Sequence, residues 1–232
     1  MVHNGRVLAT LVPPVVSAVE TFGELTEPDA YAVEARVVER AVAKRRDEFL
    51  SGRACARAAL RALGLPPGPI PRGPRGGPEW PAGVVGSITH CDGYRAAAVA
   101  HARDVRTIGI DAEPDTPVPD GVLALVGLDA ERVMLDELAT SHPGVRWDKL
   151  LFSAKESVYK AWFPLTHAWL DFTEARITID PEGGTFDAAL LVPAPVARFS
   201  GRWLAGNGLL VTAVVVPASV ALTPRPHRTA GG

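Results

Sequence analysis

The chain has 232 residues, 47% of them hydrophobic and 22% charged, with a formal net charge of −2. That length suits one large domain or two small ones packed together, and the composition is that of an ordinary globular protein. The nearly balanced charge excludes a global field that would draw in nucleic acid or a membrane surface, so any anion site has to be a local cluster of Lys and Arg. Two cysteines, Cys55 and Cys91, are too few for a disulfide framework or a zinc site and are expected as reduced thiols in a cytoplasmic protein. No segment approaches the ~20 apolar residues that span a bilayer. The apolar start, Val7 to Val16, is broken by Pro13 and Pro14 and lacks the flanks of a signal peptide.

In chain order, residues 30–63 favour helix, with Gly64 placed as a C-cap. Gly64 to Trp80 holds six prolines and five glycines and is expected as an extended ordered loop or a linker. Val84–His90 and Arg95–Ala100 read as strands around a turn at Asp92-Gly93, and Thr107–Glu113 as a strand stopped by Pro114. Two helical stretches follow, Asp120 to Leu138, broken near Gly127, and Arg146 to Phe163, ended by Pro164. On the second, Trp147, Leu150, Leu151, Ala154, Val158, Ala161 and Trp162 make one apolar stripe. Strands are expected at Arg176–Asp180, Ala188–Val192 and Leu209–Val216, with turns at Gly183-Gly184 and Asn207-Gly208. Helix-then-sheet therefore occurs on each side of about residue 104, which suggests two similar α+β halves without a clean sequence repeat. The end, from Pro224, reads as a loose tail.

Three features could carry chemistry. Asp111 and Glu113 stand two apart on a strand, so both carboxylates face one side, where they repel unless a cation lies between them. Oxygen ligands of this kind suit magnesium, although two solvated acids at a strand end would look the same. Glu156 lies almost opposite the apolar stripe, with Lys160 one turn on; such a pair is also an ordinary solvated helix face. Arg45, Arg46, Arg53 and Arg57 on the first helix and Arg72 and Arg75 in the loop could grip phosphate. Spacing groups Arg46 with Arg53 and Arg57 and displaces Arg45, and the choice between Arg45 and Arg46 stays open. His90 beside Cys91 is either a core or a ligand-binding histidine. No G-x-S-x-G, P-loop or G-x-G-x-x-G is present to support a hydrolase of that type, an NTPase or a Rossmann enzyme.

Gly109-Ile110-Asp111-Ala112-Glu113, followed about forty residues on by Phe152 to Trp162 (FSAKESVYKAW), resembles the two motifs of the 4′-phosphopantetheinyl transferases. Gly86 to Cys91 and Lys44 to Phe49 resemble the same family, and the likeness is greatest to the actinobacterial EntD/Sfp type, over residues 40–215. The resemblance implies an α+β pseudo-dimer of two similar halves, residues 1–104 binding the adenosine phosphates of coenzyme A and residues 105–222 binding metal and carrier protein, with a tail at 223–232 and the site in the cleft between halves. It implies that Asp111, Glu113 and Glu156 hold Mg²⁺ and that Lys160 and Lys155 meet the phosphates. It further implies that Arg45, Arg53, Arg72, Arg75, Thr89 and His90 bind the adenosine phosphates, with His90 near the 3′-phosphate.

The implied reaction is attack by a serine of an apo acyl or peptidyl carrier protein on the β-phosphorus of coenzyme A, releasing 3′,5′-ADP, with Asp111, Glu156 and Lys160 as the catalytic set and Glu156 as proton acceptor. Carriers of polyketide, nonribosomal peptide and fatty-acid synthases are the implied partners, docking beside residues 120–140; Phe163, Leu165 and Trp169 are further candidates, Trp169 being equally readable as core. A monomer would suffice. Two rivals use the same residues: a Mg²⁺-dependent hydrolase of nucleotide pyrophosphates, and a non-enzymatic module that binds coenzyme A or a carrier.

Overall fold

The alanine- and arginine-rich segment folds as two helices rather than one, α1 (Ala32–Val37) and α2 (Ala43–Ala62). The break falls in a valine-rich stretch: Val38 leaves helical geometry and Val42 is fully extended, as suits β-branched residues that lose rotamers in a helix. Gly64 does close α2. At φ +75° it forms a Schellman ending, with the Leu65 N–H donating to the Leu60 carbonyl and the Gly64 N–H to that of Arg61. The structure, a computed structural model, describes residues 6–23, 25 and 31–223; the expected tail from Pro224 lies outside the described residues.

Two antiparallel sheets carry the helices. The first contains β1 (Ser17–Phe22), β2 (Val84–Cys91) and β3 (Tyr94–His101) in the order β1-β3-β2. The second contains β4 (Val105–Pro114), β5 (Ala175–Asp180), β6 (Thr185–Leu190), β7 (Arg198–Gly206) and β8 (Leu209–Pro217) in the order β4-β8-β7-β6-β5. Neither β1 nor β7 was expected. In β7 the alternation of buried Phe199 and Trp203 is interrupted by Gly201, where the Phe186 ring of β6 fills the space a Cβ would need, 2.1 Å away. The β7–β8 hairpin turns at Asn207-Gly208 with φ of 55° and 73°, the two left-handed residues of a type I′ turn.

Between β4 and β5 lie α3 (Val122–Val126), α4 (Asp129–Ser141) and α5 (Trp147–Thr166), with the expected break at Gly127. Contrary to expectation, Pro164 does not end α5. In the last turn a proline removes only one intrahelical hydrogen bond, and the His167 N–H still reaches the Phe163 carbonyl at 2.8 Å. The apolar stripe of α5 is buried as expected on the second sheet. The helix lies against β4 at Gly109, where a Cβ would meet the Ser157 carbonyl oxygen at 1.9 Å.

The halves meet along β2 and β4. Among the described residues no backbone ladder joins these edges. Instead the Ile110 N–H donates to Ser87 Oγ at 3.2 Å and the Ala112 N–H to Thr89 Oγ1 at 3.1 Å, so hydroxyls on β2 satisfy the edge of β4. β1-β3-β2 with α1 and α2 thus mirrors β4-β8-β7 with α4 and α5, which makes the chain an α+β protein of two similar halves.

Candidate active site

The β2–β4 seam leads to a cleft of about 660 Å³ lined by α2, the Pro/Gly loop, β2 and α5. Arg45, Glu48, Phe49 and Arg53 come from α2, Arg72 and Arg75 from the loop, His90 from β2, and Glu156, Tyr159, Lys160 and Phe163 from α5. In a chain of net charge −2 this collects four arginines and a lysine around one cavity. It is a local anion site.

Each cation is held in a definite way. The Arg53 guanidinium lies 3.3 Å from the centroid of the Phe49 ring and its Nε donates to the Ile70 carbonyl at 2.9 Å; burial pulls its pKa down to about 10. Arg45 Nη1 stands 2.7 Å from His90 Nε2, while His90 Nδ1 and Arg45 face Glu48 at 3.6 and 3.9 Å. Burial holds His90 below the usual histidine range, with Glu48 opposing. Arg46 turns instead to the carbonyls of Glu39 and Ala41 at 3.3 Å each, where it braces the α1–α2 turn. Of the two arginines left open by spacing, Arg45 is the one that lines the cleft. Arg72 and Arg75 are exposed, and Arg75 reaches across to the Trp169 ring, 5.9 Å from its centroid.

On the acidic side, Asp111 Oδ1 accepts from Lys160 Nζ at 2.7 Å and from Thr89 Oγ1 at 3.3 Å. Its Oδ2 is buried without a hydrogen-bond partner. Burial and the Asp111 charge push Glu113 above the usual carboxylate range, against Lys149 at 3.5 Å. Burial raises Glu156 as well, Asp111 adding to the rise and Lys160 opposing it. Glu113 and Glu156 therefore carry the mark of a site short of positive charge. Among the described residues no three His, Cys, Asp or Glu side chains close into a metal cage. The donor set still fits magnesium, which keeps most of its water and phosphate ligands and takes only one or two protein carboxylates. The unpartnered Asp111 Oδ2 is the oxygen left for it.

Two expected phosphate contacts are corrected. Lys155 is buried, and its three protons are taken by Glu131 at 2.7 Å and the carbonyls of Phe172 and Ala175 at 2.7 and 3.0 Å. No proton remains for a phosphate. Thr89 is also buried, its hydroxyl engaged by the Ala112 N–H and Asp111, so it joins the halves rather than facing the donor. Trp169 is 56% exposed and packs at a tilt against Tyr159, ring centroids 5.1 Å apart, which rules out the core reading. Cys91 is half-buried, its thiol pushed up to about 12 by burial. Residues missed at the sequence level are Glu48 and Lys149. Lys149 lies two turns before Glu156 on one helix face, a spacing that could have revealed it.

The family model of the 4′-phosphopantetheinyl transferase N-terminal domain matches residues 33–100, and that of the 4′-phosphopantetheinyl transferase superfamily matches residues 107–202. The chain is 57% identical over 204 residues to the 4′-phosphopantetheinyl transferase Svp of Streptomyces mobaraensis, covering 85% of this chain and 83% of that protein. It is 46% identical to the transferase Npt of Nocardia iowensis, over 89% of this chain and 98% of the other. With the transferase PptT of Mycobacterium tuberculosis it shares 43% identity, over 91% and 99%.

Proposed function

Given that the chain belongs to the 4′-phosphopantetheinyl transferase superfamily, we propose that its cleft binds coenzyme A and delivers the phosphopantetheine arm to a serine of apo acyl or peptidyl carrier proteins, releasing 3′,5′-ADP. It is a transferase. The observation that carries the site assignment is the convergence of Arg45, Arg53, Arg72, Arg75, His90 and Lys160 on one cavity that abuts the Asp111–Glu156 acids.

The donor is a dense anion, so the first task of the protein is neutralisation. Arg45, resting on the neutral His90 imidazole, supplies one cation and Arg53 with the loop arginines others, spread along the cleft to suit separate phosphates. Lys160, tied to Asp111, stands where charge builds on the departing phosphate. Asp111, through its unpartnered Oδ2, would hold Mg²⁺ together with Glu113 or Glu156, and the ion when bound would supply charge neutralisation at the pyrophosphate. Glu156 accepts the serine proton as the new O–P bond forms and the bond to 3′,5′-ADP breaks. A raised carboxyl pKa makes it a better base than a free carboxylate.

The carrier meets the α3–α4 face, where Leu125 and Val133 are exposed apolar side chains on the segment around residues 120–140. A cytoplasmic monomer is the setting proposed; among the described residues no helix is long and apolar enough to cross a membrane.

Intact-mass analysis of purified apo-carriers with coenzyme A and Mg²⁺ tests the reaction, each carrier gaining about 340 Da for one arm. Steady 3′,5′-ADP release without any carrier would favour a hydrolase, and absence of both would favour a binding module. Glu156→Gln with near-normal turnover at saturating Mg²⁺ and coenzyme A would remove the proton-acceptor role.

A further inference from the structure

Each half holds one buried ion pair that the proposed chemistry leaves unused. In the first, the fully buried Glu34 carboxylate on α1 accepts from Arg57 Nη1 on α2 through both oxygens at 2.7 Å. The same carboxylate accepts the Ile70 N–H at 2.7 Å, and the Ile70 carbonyl accepts from Arg53 Nε at 2.9 Å. In the second, Glu131 on α4 pairs with Lys155 on α5 at 2.7 Å and accepts the Ile177 N–H at 2.7 Å. Glutamate and cation are 23 residues apart in one half and 24 in the other.

A buried ion pair is seldom more stabilising than well-packed apolar side chains, because both charges lose their water. Its recurrence at matching places in the two halves therefore points to placement. In both, the glutamate fixes a backbone N–H in the segment that follows the long helix. In the first half that segment is the stem of the Pro/Gly loop. Residues 71–79 close on themselves, the Glu79 N–H donating to the Pro71 carbonyl at 3.0 Å and the Gly73 N–H to that of Gly77 at 2.8 Å. The small loop hangs from Ile70, and only Pro71, with its fixed φ, separates the gripped residue from Arg72.

We propose that Glu34 is a positioning residue for donor binding: paired with Arg57, it holds Ile70 and so sets where Arg72 and Arg75 meet the phosphates of coenzyme A. The proposal rests on the cleft being the coenzyme A site. Glu34 touches no substrate and acts through the loop alone.

Glu34→Gln keeps the side-chain shape but removes the charge and sets an amide NH₂ against Arg57 Nη1 or the Ile70 N–H, since one oxygen replaces two, and so loosens the grip on Ile70. Calorimetric titration of the full chain with coenzyme A, without carrier, reads the effect. The Kd is expected to rise about ten-fold, equivalent to about 1.4 kcal/mol. In a steady-state assay at saturating coenzyme A, the carrier KM is expected to stay within about two-fold of wild type. An unchanged Kd in a variant that melts cooperatively overturns the proposal, and so does equal damage to donor affinity and carrier KM, which would mark a merely structural role. If Glu34→Gln does not fold, Pro71→Gly carries the test. It leaves the buried pair and the Pro71 carbonyl bond intact and loosens only the stem, so the Kd rises by about three-fold or more if the stem matters and stays at the wild-type value if it does not. A wild-type protein that fails to bind coenzyme A would instead remove the proposed function, so the two failures are distinct.

Discussion

Replacing Gly109 by alanine probes how closely α5 must lie on β4 for the acids to work together. A Cβ here would stand 1.9 Å from the Ser157 carbonyl oxygen and 2.6 Å from the Ala161 nitrogen, where ordinary contact begins at 3.4 Å. Relief requires about 1.5 Å of separation, and both obstacles are helix backbone, so no rotamer change can absorb it. The helix has to lift, carrying Glu156 and Lys160 away from Asp111 and stretching the 2.9 Å bond from Thr107 Oγ1 to the Ala161 carbonyl. Overpacking of this kind costs about 3 kcal/mol, at the upper end of the usual range, and for a chain of this length lowers Tm by roughly 6–12 °C. A displacement of about 1 Å at a catalytic group lowers the rate by about 10²-fold. Thermal melts and single-turnover transfer at saturating coenzyme A measure both effects. A Gly109→Ala protein that melts within about 1 °C of wild type and transfers at the wild-type rate would show that the helix does not have to approach the strand so closely.

Asp111→Asn removes the charge that helps raise Glu113 and Glu156, so both carboxyls move down toward the ordinary range, as carboxyl-resolved NMR titration can follow. In the wild type, those raised values mean that protons compete with cations at higher pH than for a free carboxylate, so the acid limb of the transfer rate lies above the ordinary carboxylate range. Lys155→Met leaves Glu131 buried without its cation at a cost of about 3–5 kcal/mol, visible as a lower Tm, while the coenzyme A Kd measured by calorimetry stays near wild type. A phosphate ligand would show the reverse. Leu125→Glu places a charge on a residue 74% exposed, so steady-state kinetics should show a higher carrier KM with unchanged KM for coenzyme A.

Periodicity made parts of the fold legible. The α5 stripe is buried residue for residue, and the turns at Gly64 and Asn207-Gly208 form where glycine and asparagine permit positive φ. Strands β1 and β7 were not legible, the second because a neighbouring phenylalanine requires a glycine in mid-strand. At the site, the types and order of the residues were readable but their partners were not. Lys155 and Lys160 stand on one helix five residues apart; one is sealed against Glu131 and the other opens to Asp111. Only the packing of α4 and the segment before β5 decides between them. Thr89 likewise reads as a polar residue beside a ligand-binding histidine, yet the β2–β4 seam claims its hydroxyl.

The seam and the buried pairs also explain why two similar halves left no visible repeat. What the halves share is a role: a carboxylate on the helix before the long one, a cation on the long helix, and a backbone N–H from the segment beyond. Arg57 fills the cation position in one half and Lys155 in the other, and the segment beyond is an irregular loop in one and a strand in the other. The halves differ in what their fixed segments present. Held through Ile70, the first presents Arg72 and Arg75 to the cleft. Held through Lys155 and Glu131, the second presents the Trp169–Phe172 wall beside Glu156. The same clamp, used twice, thus fixes two different walls around one cleft.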